Sequence, residues 1–588
     1  MTPPLRIANC SGFYGDRFSA PKEMVEGGPI DVLTGDYLAE LTMLILWKDK
    51  QKDPSLGYAK TFLKQAEEVL ATCARRGIKI VVNAGGLNPA GLAGKLRELR
   101  DRLGVKASVA HIEGDDLLPR LKGLQKAGHP LRNLDTGKPL AELKAPPLTA
   151  NAYLGAWGVV EALKAGADVV ICPRVTDASL VVGPAAWKFG WGRSDWDRLA
   201  SAVVAGHIVE CGAQATGGNY AFFQEAGDLR HPGFPLVEME PDGTFVVTKH
   251  PGTGGRVTAG TVTAQLLYEV SGPRYMNPDA VARFDTVRLE EVGPDRVRVS
   301  GVRGEPAPDE TKVCINYLGG FRNSMTFVLT GLDIEAKAEL VRRTLFESLG
   351  GEKRFASVDV QLIRSDKPDP PTNEEASALL RFTLKDPDPK KVGRAFSSAV
   401  MQMGLATYPG FYTTTPPTDE SPYGVYWPAL VPRDAVREEV VMEDGSRRAV
   451  EQAPPGAKSA EIRLPAYIPP PAHDGPTRRV PLGRVAGARS GDKGGNANVG
   501  VWVRSEKEYG WLYRFLTAEK FKDLITEARR LPVERYEFPN LRALNFVVKG
   551  LLGEGVSSST RMDPLAKSLG EYLRAKLVEV PVALVPPP

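Results

Sequence analysis

Two stretches decide the reading of this chain: ADVVICPRVTDASL at 167–180 and AGHIVECGAQATGGNY at 205–220. The run Val169-Val170-Ile171-Cys172 has the length and β-branching of a buried strand. It empties directly into Pro173-Arg174-Val175-Thr176-Asp177, so a guanidinium and a carboxylate are delivered where a strand stops, which is where sites form in α/β folds. In the second stretch His207 and Glu210 stand three apart on a helical pattern and therefore share a face. That helix runs out into Cys211-Gly212 and Gly217-Gly218, which places a second polar cluster beside a flexible loop.

Upstream, the same unit recurs. Arg6 to Asn9 reads as a short strand leading into Ser11-Gly12-Phe13-Tyr14-Gly15-Asp16-Arg17, whose glycines allow a tight turn and close approach to a ligand. This loop matches neither GxGxxG nor the P-loop, so neither a standard nicotinamide site nor a Walker site is expected. Ile30 to Leu33 leads to Thr34-Gly35-Asp36 and a periodic apolar segment from Tyr37 to Trp47. Tyr58 to Arg76 reads as an amphipathic helix, Ile78 to Val82 as a strand, and Asn83-Ala84-Gly85-Gly86-Leu87-Asn88-Pro89 as its closing loop. Pro89 to Leu103 is a helix, Lys106 to Ala110 a strand, and His111-Ile112-Glu113-Gly114-Asp115-Asp116 a loop. A helix from Tyr153 to Ala165 feeds the strand at Val169. Strand, polar loop and helix in alternation specify parallel strands joined by right-handed crossovers, with the polar loops on one sheet edge. About five such units favour an open doubly wound sheet over a barrel.

At 588 residues the chain exceeds one ordinary core, and two or three domains are expected. With 25% charged and 42% hydrophobic residues it has a soluble composition, and a net charge of +4 without a block of like charge argues against nucleic acid as a partner. No apolar run approaches the roughly 20 residues of a membrane span. MTPPLRIANC at the start lacks the features of a signal peptide. Five scattered cysteines without a CxxC pair fit reduced thiols, so a cytoplasmic location is expected.

From about residue 236 to 453 the texture becomes α+β, a continuation of the parallel body at 1–235. Short strands are expected near 245–249, 286–291, 296–302 and 313–318, and helices at Glu335–Ser348, Glu374–Leu384 and Val392–Met403. Ala406 to Tyr412, followed by three threonines, reads as a pocket lining or as a plain turn. The proline-rich stretch 454–477 reads as a semi-rigid linker. Beyond it, residues 478–588 read as a small α+β domain, ferredoxin-like by order of elements. Its strands Val480–Ala488 and Val499–Arg504 flank a loop at Arg489–Asn496, and its helices run Tyr509–Arg530 and Pro564–Leu577.

Taken together, SGFYGDR at 11–17, TGDYLAELTM at 34–43, NAGGLNP at 83–89, EGDD at 113–116 and NAYLGAWGVVEALKAGADVVICPRVTDASL at 151–180 resemble the acyclic terpene utilisation (AtuA) family. HIVECGAQATGG at 207–218 extends the resemblance, and RSGDKGGNANVGV at 489–501 with NFVVKGLLGEGV at 545–556 resembles its small C-terminal companion domain. Where an acidic or amide residue would close the GDKG loop, this chain has Gly495. The resemblance implies breakdown of citronellol- and geraniol-type isoprenoids and of branched acyl-CoA intermediates, without specifying the reaction.

The acids Asp16, Asp36, Asp115 and Asp116 have three readings. They cap helices, they hold a hard cation such as Mg²⁺ or Mn²⁺ with Glu113, Asp115 and Asp116 as ligands, or they do acid–base work. His207 with Glu210 supports the last, with Asp177 and Asp36 as further catalytic acids and Cys211 as a nucleophile if His207 lowers its pKa. Gly12, Gly15, Asp16, Arg17, Asn83, Gly85, Gly86 and Arg174 are expected to bind substrate. Arg489, Gly491, Lys493 and Gly494, with Gly495, would form an anion nest suited to coenzyme A phosphates, or else a solvated hairpin. The expectation is a homo-oligomeric enzyme that moves protons beside an acyl-CoA thioester carbonyl, in a hydratase, dehydratase or lyase step. The alternative is a non-catalytic subunit that binds such intermediates or a partner enzyme.

Overall fold

The computed structural model of the chain describes residues 3–452, 456, 462–472 and 475–586. Its centre is an eleven-stranded sheet built on five parallel strands, in the spatial order Leu5–Asn9, Val32–Gly35, Lys79–Val82, Val169–Ile171, Val109–Glu113. The sheet is open, as the alternating pattern requires. Antiparallel strands extend both edges: Pro235–Met239, Phe245–Lys249, Arg296–Ser300 and Arg288–Gly293 beyond the first strand, and Glu439–Val441 and Arg447–Ala449 beyond Val109–Glu113.

The parallel strands are almost wholly apolar because helices cover them. Lys60–Arg76 buries Phe62, Ala66, Val69, Leu70 and Cys73 along one stripe and ends where Gly77 turns left-handed at φ 71°. Pro89–Arg102 starts at Asn88, whose side chain accepts a hydrogen bond from the Gly91 N–H. Because all five strands run the same way, the loops at 10–17, 36–39, 83–88, 114–116 and 172–177 leave the sheet from one edge.

Several expected boundaries shift. His111–Glu113 belongs to its strand rather than to the loop. The helix expected from Tyr153 begins at Trp157, since Pro147–Ala152 is itself a strand, paired with Glu310–Thr330. Residues 374–384, expected as a helix, instead contribute to the strand Ser377–Asp386, which buries Ala378, Leu380, Phe382 and Leu384 at alternate positions. A period of two decides for the strand. The expected helix 509–530 is broken in two, Glu506–Phe515 and Ala518–Leu524, because Thr517 caps the second segment through the Lys520 N–H. Only Leu569–Arg574 is helical in the last segment.

By internal contacts the chain divides into two compact units, 1–316 with 426–556 and 563–588, and 317–425 with 557–562. The first unit contains the small C-terminal domain, an antiparallel sheet in the order Gly487–Lys493, Asn496–Trp502, Ala543–Val548, Val533–Phe538. One sheet face packs Ala497, Val499, Val501, Leu544 and Phe546 into a core with Tyr509, Leu512, Phe521 and Leu573. Arg489–Lys493, expected as loop, is strand. In the second unit, Ser357–Ile363 and Ser377–Asp386 pair in a sheet whose Phe327, Leu380 and Phe382 pack on Val341, Leu345, Phe396 and Val400 from two helices. Of the proline-rich stretch, residues 454–455, 457–461 and 473–474 lie outside the described residues, and 462–472 contains neither helix nor strand. No helix among the described residues is long and apolar enough to cross a membrane.

Candidate active site

The strand-end loops converge as their parallel order dictates. Asp36 leaves the Val32–Gly35 strand and is buried, its Oδ1 accepting from Asn83 Nδ2 at 2.5 Å and from the Leu38 N–H at 3.1 Å. The Asn83 Oδ1 accepts in turn from the Tyr37 N–H. Arg174, only 3% exposed, donates from Nη1 to Asp177 Oδ1 at 2.8 Å and to the Leu38 and Val175 carbonyls, and its guanidinium lies 4.2 Å from the Tyr153 ring centroid. Burial, with the neighbouring Asp177 charge, holds the Asp36 carboxyl well above its ordinary range, against the pull of Arg174. Gly85 is glycine because a Cβ there would meet the Cys172 carbonyl oxygen at 2.6 Å. Gly86, left-handed at φ 51°, packs on Leu46 in the same way. Both glycines hold neighbouring loops together.

The helix Trp196–Val209 carries His207 to the same region, 1% exposed, with Glu210 at its C-cap. The His207 Nε2 donates to the Gln265 carbonyl at 3.1 Å, which fixes the neutral tautomer and leaves the Nδ1 lone pair free. Nδ1 faces Glu210 Oε1 at 3.1 Å. No hydrogen bond forms between them, and His207 Nδ1 and the other Glu210 oxygen are buried without partners. Burial pushes the imidazole down to about 4, opposed by the Glu269 charge. Burial, then Asp177 and Glu269, raise the Glu210 carboxyl well above its usual value. Near neutral pH the imidazole is thus uncharged, beside a carboxyl whose burial favours its protonated form. Tyr275 and Phe284 flank the ring at 5.1 and 5.3 Å.

Cys211 follows directly, with Gly12 laid against its backbone, where a Cβ would meet the carbonyl carbon at 2.6 Å. Burial, then the charges of Glu210 and Glu269, push the Cys211 thiol well up. That is opposite to the lowering a thiolate nucleophile requires.

Three further charges reach this cluster that sequence reasoning did not place there. Glu269 lies in a left-handed backbone at φ 57°, and its charge acts on His207, Glu210, Cys211 and Tyr275. It is the only charged residue between Arg256 and Arg274, a signal visible in the sequence. Glu40 accepts from the Tyr153 hydroxyl at 2.8 Å. Although burial alone would raise it, Lys312, Arg174 and that hydrogen bond hold Glu40 down at about 2. Lys493, expected in an anion loop, instead donates to the Glu269 carbonyl at 2.8 Å, and burial, then the Lys312 charge, lower its ammonium.

Other candidate residues serve locally. Asp16 accepts from the Gly12 and Arg17 N–H groups, Gly15 packs on the Phe13 ring, and Arg17 pairs with Glu23 and the Pro232 carbonyl. Arg489 lies over the Tyr268 ring at 4.3 Å and donates to the Asn219 carbonyl, while Gly491 backs onto that ring. The turn at Gly494-Gly495 already holds an anion, the chain's own Asp135, which accepts from the Gly495 N–H at 3.0 Å and Asn496 Nδ2 at 2.8 Å. Glu113 pairs with Arg447 and His111, Asp115 accepts from Asn151 and the Arg174 N–H, and Asp116 from the Leu118 N–H. Each acid has its own partner, and among the described residues no three His, Cys, Asp or Glu side chains are arranged to hold a metal ion.

Residues 5–442 match the family model described as "Acyclic terpene utilisation family protein AtuA", and residues 480–579 match the "AtuA ferredoxin-like domain". No match is found among curated proteins or among solved structures. The first model spans more than half of the chain and takes in Asp36, Arg174, His207, Glu210 and Glu269, while the second takes in Lys493. The chain belongs to the acyclic terpene utilisation family AtuA and carries that family's ferredoxin-like domain.

Proposed function

We propose that this protein is an acid–base enzyme of acyclic isoprenoid breakdown, acting on a branched acyl-CoA thioester in a hydration, dehydration or lyase step. Family membership points to acyclic terpene utilisation. The observation that carries the chemistry is the buried His207–Glu210 pair, with Nδ1 and Oε1 3.1 Å apart, the imidazole held neutral and the carboxyl pushed toward its protonated form. In the dehydrating direction the imidazole takes a proton from the carbon next to the thioester carbonyl and the Glu210 carboxyl gives one to the departing hydroxyl, which leaves as water; in hydration the Glu210 carboxylate takes a proton from the adding water and the imidazolium returns one to that carbon. Arg174, held by Asp177 and the Tyr153 face, offers positive charge to the carbonyl oxygen as it becomes an enolate. Asp36, whose carboxyl the neighbouring Asp177 charge helps to keep protonated, and Asp177 position water.

Because the Gly494–Gly495 turn is filled by Asp135, it offers coenzyme A phosphates no free backbone nest, and only the Arg489 Nη2, buried without a partner, is left there for an anion. Recognition then rests on the acyl group. Thermal unfolding against free CoA and a series of branched acyl-CoA esters tests this. An ester at about 100 times its Kd adds roughly 2.7 kcal/mol to the folded state, and free CoA adds far less. Absence of a shift with every ester sinks the reading.

One observation favours a binding subunit instead. The second unit has an open groove of about 450 Å³ lined by Met401, Leu405, Phe411, Tyr412 and the threonines at 413–415, with Leu405 fully exposed. Apolar surface of this kind is what a partner protein covers. Stabilisation by a co-purifying protein, without any by an ester, would select that alternative.

A further inference from the structure

We propose that the ferredoxin-like domain is the positioning module of this site: its Asn498–Asn545 pair and Lys493 grip segment 267–271 and set Glu269 as a further proton-handling side chain beside His207 and Glu210. The inference rests on the acid–base reading of the same site and gives the small domain a role within it.

Asn498 and Asn545 lie on adjacent strands of the small domain, both fully buried and hydrogen-bonded to each other. Neither is spent on its own domain's core. The Asn498 Oδ1 accepts from the Glu269 N–H at 2.8 Å, and its Nδ2 donates to the Leu267 carbonyl at 3.0 Å. The Asn545 Nδ2 donates to the carbonyls of Val270 at 3.0 Å and Ser271 at 2.7 Å. Lys493 Nζ takes the Glu269 carbonyl itself. Five backbone groups within residues 267–271, a segment that belongs to no helix or strand, are thereby held by three side chains of another domain.

The sheet can lie this close because the face turned to the segment carries glycine at the contact points. A Cβ on Gly491 would meet the Tyr268 ring at 2.3 Å, and one on Gly500 would meet Leu267 Cβ at 2.5 Å. Gly491, Asn498, Gly500 and Asn545 share that face by strand alternation and pairing.

Docking alone does not account for Glu269. Its left-handed backbone suits glycine, and a side chain there is strained. The position nevertheless carries the only charge in its stretch, and the stretch brackets the pair: four residues earlier the Gln265 carbonyl holds His207 Nε2 at 3.1 Å, and six residues later the Tyr275 ring lies 5.1 Å from the imidazole. A strained backbone pinned at both its N–H and its carbonyl, with three more contacts on its neighbours, persists because the surrounding structure over-determines it, and such strain clusters at functional sites.

The groups facing Glu210 are His207 and Cys211 from its own segment, Asp177 and Arg174 from the strand end, Glu269, Tyr275, and Lys493 from the small domain. Histidine labelled with ¹⁵N in the full-length protein reports the Glu210 proton through the His207 Nδ1 resonance, one of only six histidines. Glu269→Gln and Glu269→Gly are expected to move that transition to lower pH by on the order of half a unit or more, since each removes a like charge. Asn498→Ser or Asn545→Ser is expected to move it the same way and to add nothing in the Glu269→Gln background. Clamp variants that lower the Tm while leaving the transition in place would reduce the small domain to structural support. An unmoved transition in Glu269→Gly overturns the proposal even if no clamp variant folds. Failure of every acyl ester to bind would instead remove the acid–base reading and leave this titration unaffected.

Discussion

The Nδ1 of His207 and the Oε1 of Glu210 lie 3.1 Å apart, while the other ring nitrogen of His207 is spent on the Gln265 carbonyl. One helical step of three residues creates the pair, and burial decides which member holds the proton. The ring cannot turn over without giving up its bond to Gln265, so the basic nitrogen stays on the Glu210 side.

Arg174 is the cation that makes a crowd of acids tolerable. Replacing it with Met leaves the buried Asp36 facing the partly exposed Asp177 without a cation between them, and the expected destabilisation is about 3 kcal/mol by urea unfolding. Asp177→Asn costs less, because Asp177 is partly exposed and its amide oxygen still accepts from Arg174.

Gly12 connects the first loop to the site. Gly12→Ala drives a Cβ into the Cys211 backbone, with an expected loss of about 1–3 kcal/mol and displacement of the turn that follows Glu210. Denaturant unfolding measures the first effect. A change in the His207 resonances measures the second.

Stability should depend on pH with a maximum on the acid side of neutral. Burial raises Asp115 to about 7 and Glu438 to about 8, above their values in the unfolded chain. Stability from these groups is full below the unfolded values and is lost as pH rises through 7 and 8. His207 works in the other direction: its folded value of about 4 lies below the ordinary 6.5, so its contribution is lost as pH falls through that range. A series of Tm values from pH 5 to 9 should fall on the alkaline side. Glu438→Gln, which keeps an acceptor for the Gly158 N–H, should flatten that limb.

Much of this arrangement is legible in the sequence alone. Apolar strands followed by polar loops specified the parallel sheet, and that topology brought Asp36, Asn83, Arg174 and Asp177 to one edge. The spacing of His207 and Glu210 specified their shared face. Other features were hidden for physical reasons. Glycine at 491 reads as a loop residue, but here it sits in a strand so that Tyr268 can approach its backbone. Asp135 occupies the glycine turn from 360 positions away, and nothing local announces it. Glu269 and Lys493 meet only because two domains dock. The strand at Ser377–Asp386 carries a short apolar run that supports helix or strand alike until its partners are known.

The central claim is that the His207–Glu210 pair moves a proton at the carbon beside a thioester carbonyl. Mass spectrometry of a stabilising branched acyl-CoA ester incubated with the protein in deuterated water tests it most directly. Wild-type protein should exchange the α-hydrogen, and Glu210→Gln and His207→Gln should each slow that exchange by about 10²-fold or more while still binding the ester. Exchange at the wild-type rate in both variants would contradict the account.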